Sequence, residues 1–150
     1  MRTFFTSMLL LAFLSVGAQK YNKKLAQTLG ADEYGMKQYV LAILKTGTYT
    51  AKNKQESDSL FAGHMNNIGR LVACKKLFIA GPLGKNEKSY RGIFIFDVKT
   101  IDEARELTNT DPAVKTGLFE VEYYNWYGGA ALPVYLETQN KITKSSMVTK

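Results

Sequence analysis

The chain of 150 residues contains a single cysteine, a single histidine and a single tryptophan. One cysteine cannot close an internal disulfide, so the fold must rest on its packed core. One histidine excludes a multi-histidine zinc centre within one subunit. There is no CxxC pair, no HExxH, no P-loop and no GxSxG. These absences remove dithiol exchange, zincin-type hydrolysis, P-loop nucleotide chemistry and the nucleophile-elbow hydrolases. Charged residues make up 22% and apolar residues 45%, a balance that excludes a disordered chain and suits one globular domain with a real core.

The first eighteen residues, MRTFFTSMLLLAFLSVGA, read as a secretory signal. Arg2 gives the positive start, Met8 to Leu14 the apolar segment, and Val16-Gly17-Ala18 the small residues before a cut at Gln19. The apolar segment is too short to span a bilayer comfortably. The expectation is an exported protein, periplasmic or secreted, with no membrane association after cleavage. Domain boundaries follow: signal 1–18, an N-terminal extension 19–35, a core domain 36–127 and a C-terminal extension 128–150. The full chain carries a formal charge of +7. Its lysines are dispersed along the sequence, with Lys45, Lys52 and Lys54 in one loop and Lys75 and Lys76 after a helix. That dispersal reads as a soluble basic surface.

Periodicity orders the elements. Tyr21, Leu25 and Leu29 repeat every four residues, predicting a short amphipathic helix laid on the domain. A first strand spans about Gln38 to Leu44. A helix capped by Ser57 or Asp58 then runs to about Cys74, whose thiol is expected to be buried and inert. A second strand, Leu77 to Ala80, closes at Gly81-Pro82. GKNEKS turns the chain into a third strand, YRGIFIFDVK. Thr100 and Glu103 have capping-box spacing at the start of a second helix, which Asp111-Pro112 stops. GLFEVEYYNWY is a fourth strand, ended by Gly128-Gly129, and Leu132, Val134 and Leu136 alternate as a short extra strand.

The order β-α-β-β-α-β predicts an α+β, ferredoxin-like antiparallel sheet with two helices on one face. Strands one and three are apolar on both faces, so the uncovered face would expose more apolar surface than a monomer tolerates. A homodimer that packs the two sheets face to face is the simplest cover. Domains with this element order include RNA binders, whose third strand carries stacking aromatics. Here RGIFIFDV places Ile93 and Ile95 at those positions, and isoleucine offers no π-face to a base. Nucleic acid is therefore not an expected partner.

Two polar groups remain as carriers of chemistry. Read on a helix, His64 shares a face with Leu60, Ile68 and Leu71. Asp111 directly follows the second helix. Helices lying side by side on a sheet can bring a residue within one against a residue just past the other. His64 and Asp111 could then form an acid/base dyad, with the carboxylate fixing the imidazole tautomer. The alternatives are a packed core histidine and a turn-forming aspartate. Phe61 and Trp126 could line a pocket or serve as core. Arg91 could hold an anion or a surface salt bridge.

The residues GHMNNIGRLVACKKLFIAGPL, followed by YRGIFIFDVKTIDEARELTNTDPAVKTGLFEVEYYNW, resemble the YciI (YCII-related) family. The shared features are the histidine-bearing helix, the K-L-x-x-A-G-P strand end, Glu103-Ala104 opening the second helix, and D-P-x-x-x-x-G-L at Asp111 to Leu118. The resemblance covers roughly Met36 to Tyr127. It implies a dimeric α+β barrel, with His64 and Asp111 at the positions of the family's proposed catalytic pair beside Gly81-Pro82 in a cleft. It further implies cofactor-free proton transfer, elimination or hydrolysis on a small carbonyl or phenolic compound. No metal is expected, and Gly81, Pro82, Arg91 and Trp126 are the expected substrate-binding residues. A non-catalytic ligand-binding or structural dimer is the competing reading.

Overall fold

The computed structural model describes residues 20–145; the expected signal segment lies outside them. Helix α1 (Lys23–Leu29) precedes strand β1 (Met36–Thr46), helix α2 (Lys54–Ala73), strands β2 (Leu77–Pro82) and β3 (Tyr90–Phe96), and helix α3 (Ile101–Thr108). A short helix α4 (Pro112–Lys115), strand β4 (Phe119–Gly129), a 3-10 turn (Leu132–Val134) and helix α5 (Tyr135–Ile142) complete the order. The four strands form one sheet in the order β2-β3-β1-β4, and every neighbouring pair is antiparallel. This is the ferredoxin-like α+β arrangement the sequence predicts.

Period-two alternation decides what each face buries. Val40, Ala42 and Leu44 of β1 and Phe94 and Phe96 of β3 point to the helix-bearing side, where they join Leu71 of α2 and Ala104 of α3 in the main core. Tyr39 of β1, Phe78 of β2 and Ile95 of β3 point the other way and form a second cluster. The strands are apolar on both faces because both faces are packed, by different partners.

The second partner is the C-terminal segment. Leu132 and Leu136 pack against the Tyr39, Phe78 and Ile95 cluster, and Tyr135 donates its hydroxyl to the Phe78 carbonyl at 2.7 Å. The expected extra strand over Leu132 to Leu136 is thus helical. Pro133 pre-sets the first turn, and the spacing of 132 and 136 is one helical turn as well as an even number of residues. The segment covers only one end of this face. Ile43 and Ile93, directly paired across β1 and β3, are half-buried and lie outside the cluster. Beyond them Lys45 bridges Glu122 at 3.1 Å, and the hydroxyls of Tyr90 and Tyr124 donate to the same carboxylate.

Three further local expectations are corrected. Helix α2 starts earlier than Ser57 or Asp58: Asn53 is its cap, accepting from the Glu56 amide at 2.9 Å. Cys74 is exposed, because it sits at the C-cap beyond the buried face of α2. Helix α1 buries none of its residues, with Tyr21 and Leu25 left mostly in solvent. Its ends are nevertheless well made, with Asn22 at the N-cap and Gly30 left-handed at the C-cap. No described helix is long and apolar enough to cross a membrane.

Candidate functional site

His64 and Asp111 meet. The imidazole Nδ1 lies 2.6 Å from Asp111 Oδ2. Asp111 is fully buried and His64 is 8% exposed. The carboxylate has a second, local duty. As the N-cap of α4, its Oδ1 accepts the Ala113 amide at 2.9 Å, and Pro112 occupies the first helical turn. One oxygen is therefore pinned to the backbone, which aims the other at the imidazole. An ionised carboxylate only accepts, so Nδ1 must donate, and Nε2 of the neutral ring is left with its lone pair. Nε2 has no hydrogen-bond partner among the described residues.

The ring is seated among aromatics. It stacks on Phe94 of β3 at a centroid distance of 5.9 Å and meets Phe119 of β4 edge-on at 5.2 Å. Phe61, one turn back on α2 and mostly exposed, stands 6.3 Å away. Strand register locates the site along the sheet. Phe94 pairs with Ala42, and Phe119 with Thr46, so the imidazole lies near the level of Leu44, which pairs with Gly92. Gly92 in turn pairs with Pro82. Pro82 thus shares the histidine's face and level, on the edge strand. Gly81, one residue away, faces the other side, and a Cβ built there would meet nothing within 4 Å.

Arg91 and Trp126 are not brought to the histidine. Arg91 is exposed on β3, at the register shift between the Leu44–Gly92 and Lys45–Tyr90 pairs, where the strand's alternation is interrupted. It has no ion pair among the described residues. Trp126 packs on the Tyr39 cluster, its ring 5.7 Å from that of Tyr39. For Trp126 the signal was present in the sequence: its odd separation from Phe119 puts it on the far side of the sheet. Among the hollows that the described residues form, two are well formed. One of about 370 Å³ is lined by the start of α2 around Lys52 and Leu60. One of about 820 Å³ is lined by Lys37, Lys75, Lys76 and Lys99 with Asp97. Neither borders His64. No group of three or more metal-ligating side chains exists among the described residues.

A model of the YCII-related domain matches residues 38–127, more than half of the chain. The chain belongs to the YCII-related family. No curated protein matches it. Among solved structures, it is similar to 5-chloro-2-hydroxyhydroquinone dehydrochlorinase from Burkholderia phenoliruptrix in complex with 2,5-dihydroxybenzoquinone. The identity is 24% over 58% of this chain and 92% of that one, with a TM-score of 0.41.

Within the YCII-related domain, two groups that build the site carried no obvious sequence signal. Gly63 permits the approach of α2 to α4: a Cβ there would lie 2.5 Å from Pro112 Cγ. The glycine beside the histidine is thus what lets the residue before Pro112 come within hydrogen-bond reach. The second group is a lock between α2 and the end of α3. Asn67 Oδ1 accepts from Arg70 Nη2 at 2.8 Å and from Thr110 Oγ1 at 2.9 Å, and Arg70 Nη2 also reaches Thr110 Oγ1. Thr110 immediately precedes Asp111, so the lock fixes the carboxylate's own backbone.

Proposed function

We propose that this YCII-related protein is a cofactor-free acid/base enzyme in which His64 exchanges a proton with a small carbonyl or phenolic compound. The observation that carries the reading is the oriented imidazole: Nδ1 is held by a buried carboxylate and Nε2 is left open. The buried carboxylate also stabilises the imidazolium that forms when Nε2 takes a proton. Proton transfer, elimination and hydrolysis all begin with that step. The aromatic seat of Phe94, Phe119 and Phe61 suits a planar, ring-sized substrate. Pro82 lies on the edge-strand side of the approach to His64.

The same reading takes the protein as exported after cleavage behind Ala18 and as a homodimer through Ile43, Ile93 and their neighbours. Mass determination of the protein from the extracytoplasmic fraction checks the first, with a mature chain starting at Gln19 expected. Light scattering at micromolar concentration checks the second.

The catalytic reading is tested by turnover of a panel of small phenols and enolisable carbonyl compounds by wild type, His64→Ala and Asp111→Asn. Loss on the order of 10²–10⁴-fold is expected for both variants, the usual worth of a positioned general base. Folded variants that keep full turnover would overturn it and leave a non-catalytic binding module.

A further inference from the structure

One buried polar atom among the described residues has no partner: Nδ2 of Asn67. Asn67 is 7% exposed and lies three residues after His64, on the same face of α2. Both side chains project into the seam between α2 and residues 110 and 111, since Asn67 is bonded to Thr110 as His64 is to Asp111. The amide cannot be turned to relieve the orphan. Its oxygen already accepts from the guanidinium of Arg70, a group with no acceptor capacity, so a flip would set donor against donor. An orphaned buried N–H is costly and persists where something other than the protein satisfies it.

We propose that Asn67 is a second ligand-contacting group of this site, its Nδ2 donating a hydrogen bond to an oxygen of the small molecule on which His64 acts. This rests on the acid/base reading above and sharpens the substrate class. The compound must carry an oxygen that gains negative charge as the proton leaves. His64 Nε2 takes a proton from a C–H or O–H, the freed electron pair moves onto that carbonyl or phenolic oxygen, and Asn67 N–H stabilises it. The positive charge stays on the imidazole, facing Asp111, so proton and charge balance. A donor held in place before the reaction is the arrangement that favours developing oxyanions.

The isosteric Asn67→Asp separates this role from the lock. It keeps the oxygen that accepts from Arg70 and Thr110 but replaces the orphan donor with an acceptor. Hydrogen–nitrogen NMR spectra of the wild type, titrated with hydroquinone and separately with acetylacetone, follow the Asn67 amide pair and the His64 ring together. The expected result is a concerted shift of both with at least one compound, and an affinity at least about tenfold weaker in Asn67→Asp, the equivalent of one lost hydrogen bond. A shift at His64 with a silent Asn67 amide, or unchanged affinity in a folded Asn67→Asp, would overturn the role of Asn67 and leave the His64 reading standing. Silence at both residues with both compounds would overturn the two together. The wild-type amide signals decide the matter even if the variant does not fold.

Discussion

The two faces of the sheet use similar apolar residues and spend their polar groups in opposite ways. On the helix-bearing face, Asp111 is completely buried and His64 nearly so, and each polar atom of the pair but one is fixed by a neighbour. On the other face the polar groups Lys45, Glu120, Glu122 and Tyr124 sit at the rim, where the half-buried Lys45 and Glu122 hold each other. Lys45 raises its own affinity for a proton by bonding Glu122, and the same bond lowers that of the carboxyl. Ion pairs that water still reaches add little stability. Burying a carboxylate against an imidazole is expensive unless every bond is made. The buried, hydrogen-bonded pair lies on one face only, and the other face packs against the C-terminal segment at one end.

The largest effect that would break this contrast is on the buried pair. Asp111→Ala removes the cap of α4 and leaves the imidazole N–H unpaired, and should cost about 2–4 kcal/mol by urea unfolding. A loss under about 0.5 kcal/mol would mean that the pair is no more demanding than a surface one. On the opposite face, Ile43→Glu or Ile93→Glu should convert the expected dimer to monomer by sedimentation while leaving the His64 spectrum unchanged. A dimer that survives both changes associates through some other surface. Gly63→Ala is a smaller perturbation. Overpacking against Pro112 costs about 1–3 kcal/mol, and the better helix former returns about 1 kcal/mol. Stability should fall slightly while turnover falls more, because α4 is pushed off α2. Unaltered turnover would show that the close approach does not position Asp111.

The smallest effect is a pH dependence confined to the second face. Burial, helped by the charge of Asp97, pushes the Tyr39 phenol up to about 12 from an ordinary 10. The fold thus favours the neutral phenol. Its contribution to stability is complete below pH 10 and is lost as pH rises from 10 through 12. Melting temperatures should drop more steeply above pH 10 in wild type than in Tyr39→Phe. Parallel curves for the two proteins would show that Tyr39 ionises as freely as an exposed phenol.

The sequence carried the sheet and its helices because both periods are strong: Ile93 to Phe96 can be read only as a doubly buried strand, and Thr100 to Glu103 marks a helix start. The dyad was legible because the chain has one histidine and because Asp111 precedes a proline. What could not be read in that way was anything set by distance between elements. Gly63 looks like a helix weakness until Pro112 is seen against it. Asn67 looks like a solvated polar residue until Thr110 and Arg70 close over it. The C-terminal segment reads equally as strand or helix because Leu132 and Leu136 satisfy both periodicities, and only the hydrophobic patch around Phe78 decides between them. For Trp126, parity along β4 already separates it from the histidine, whereas the bulge at Arg91 interrupts that count on β3.

The most direct measurement is the long-range hydrogen–nitrogen NMR spectrum of the lone imidazole in its neutral form, recorded for wild type and Asp111→Asn. Wild type should show the tautomer protonated at Nδ1, with Nε2 bearing the lone pair, and the variant should lose that preference. An Nε2–H ring in wild type, or identical spectra for the two proteins, would contradict an imidazole oriented for proton transfer.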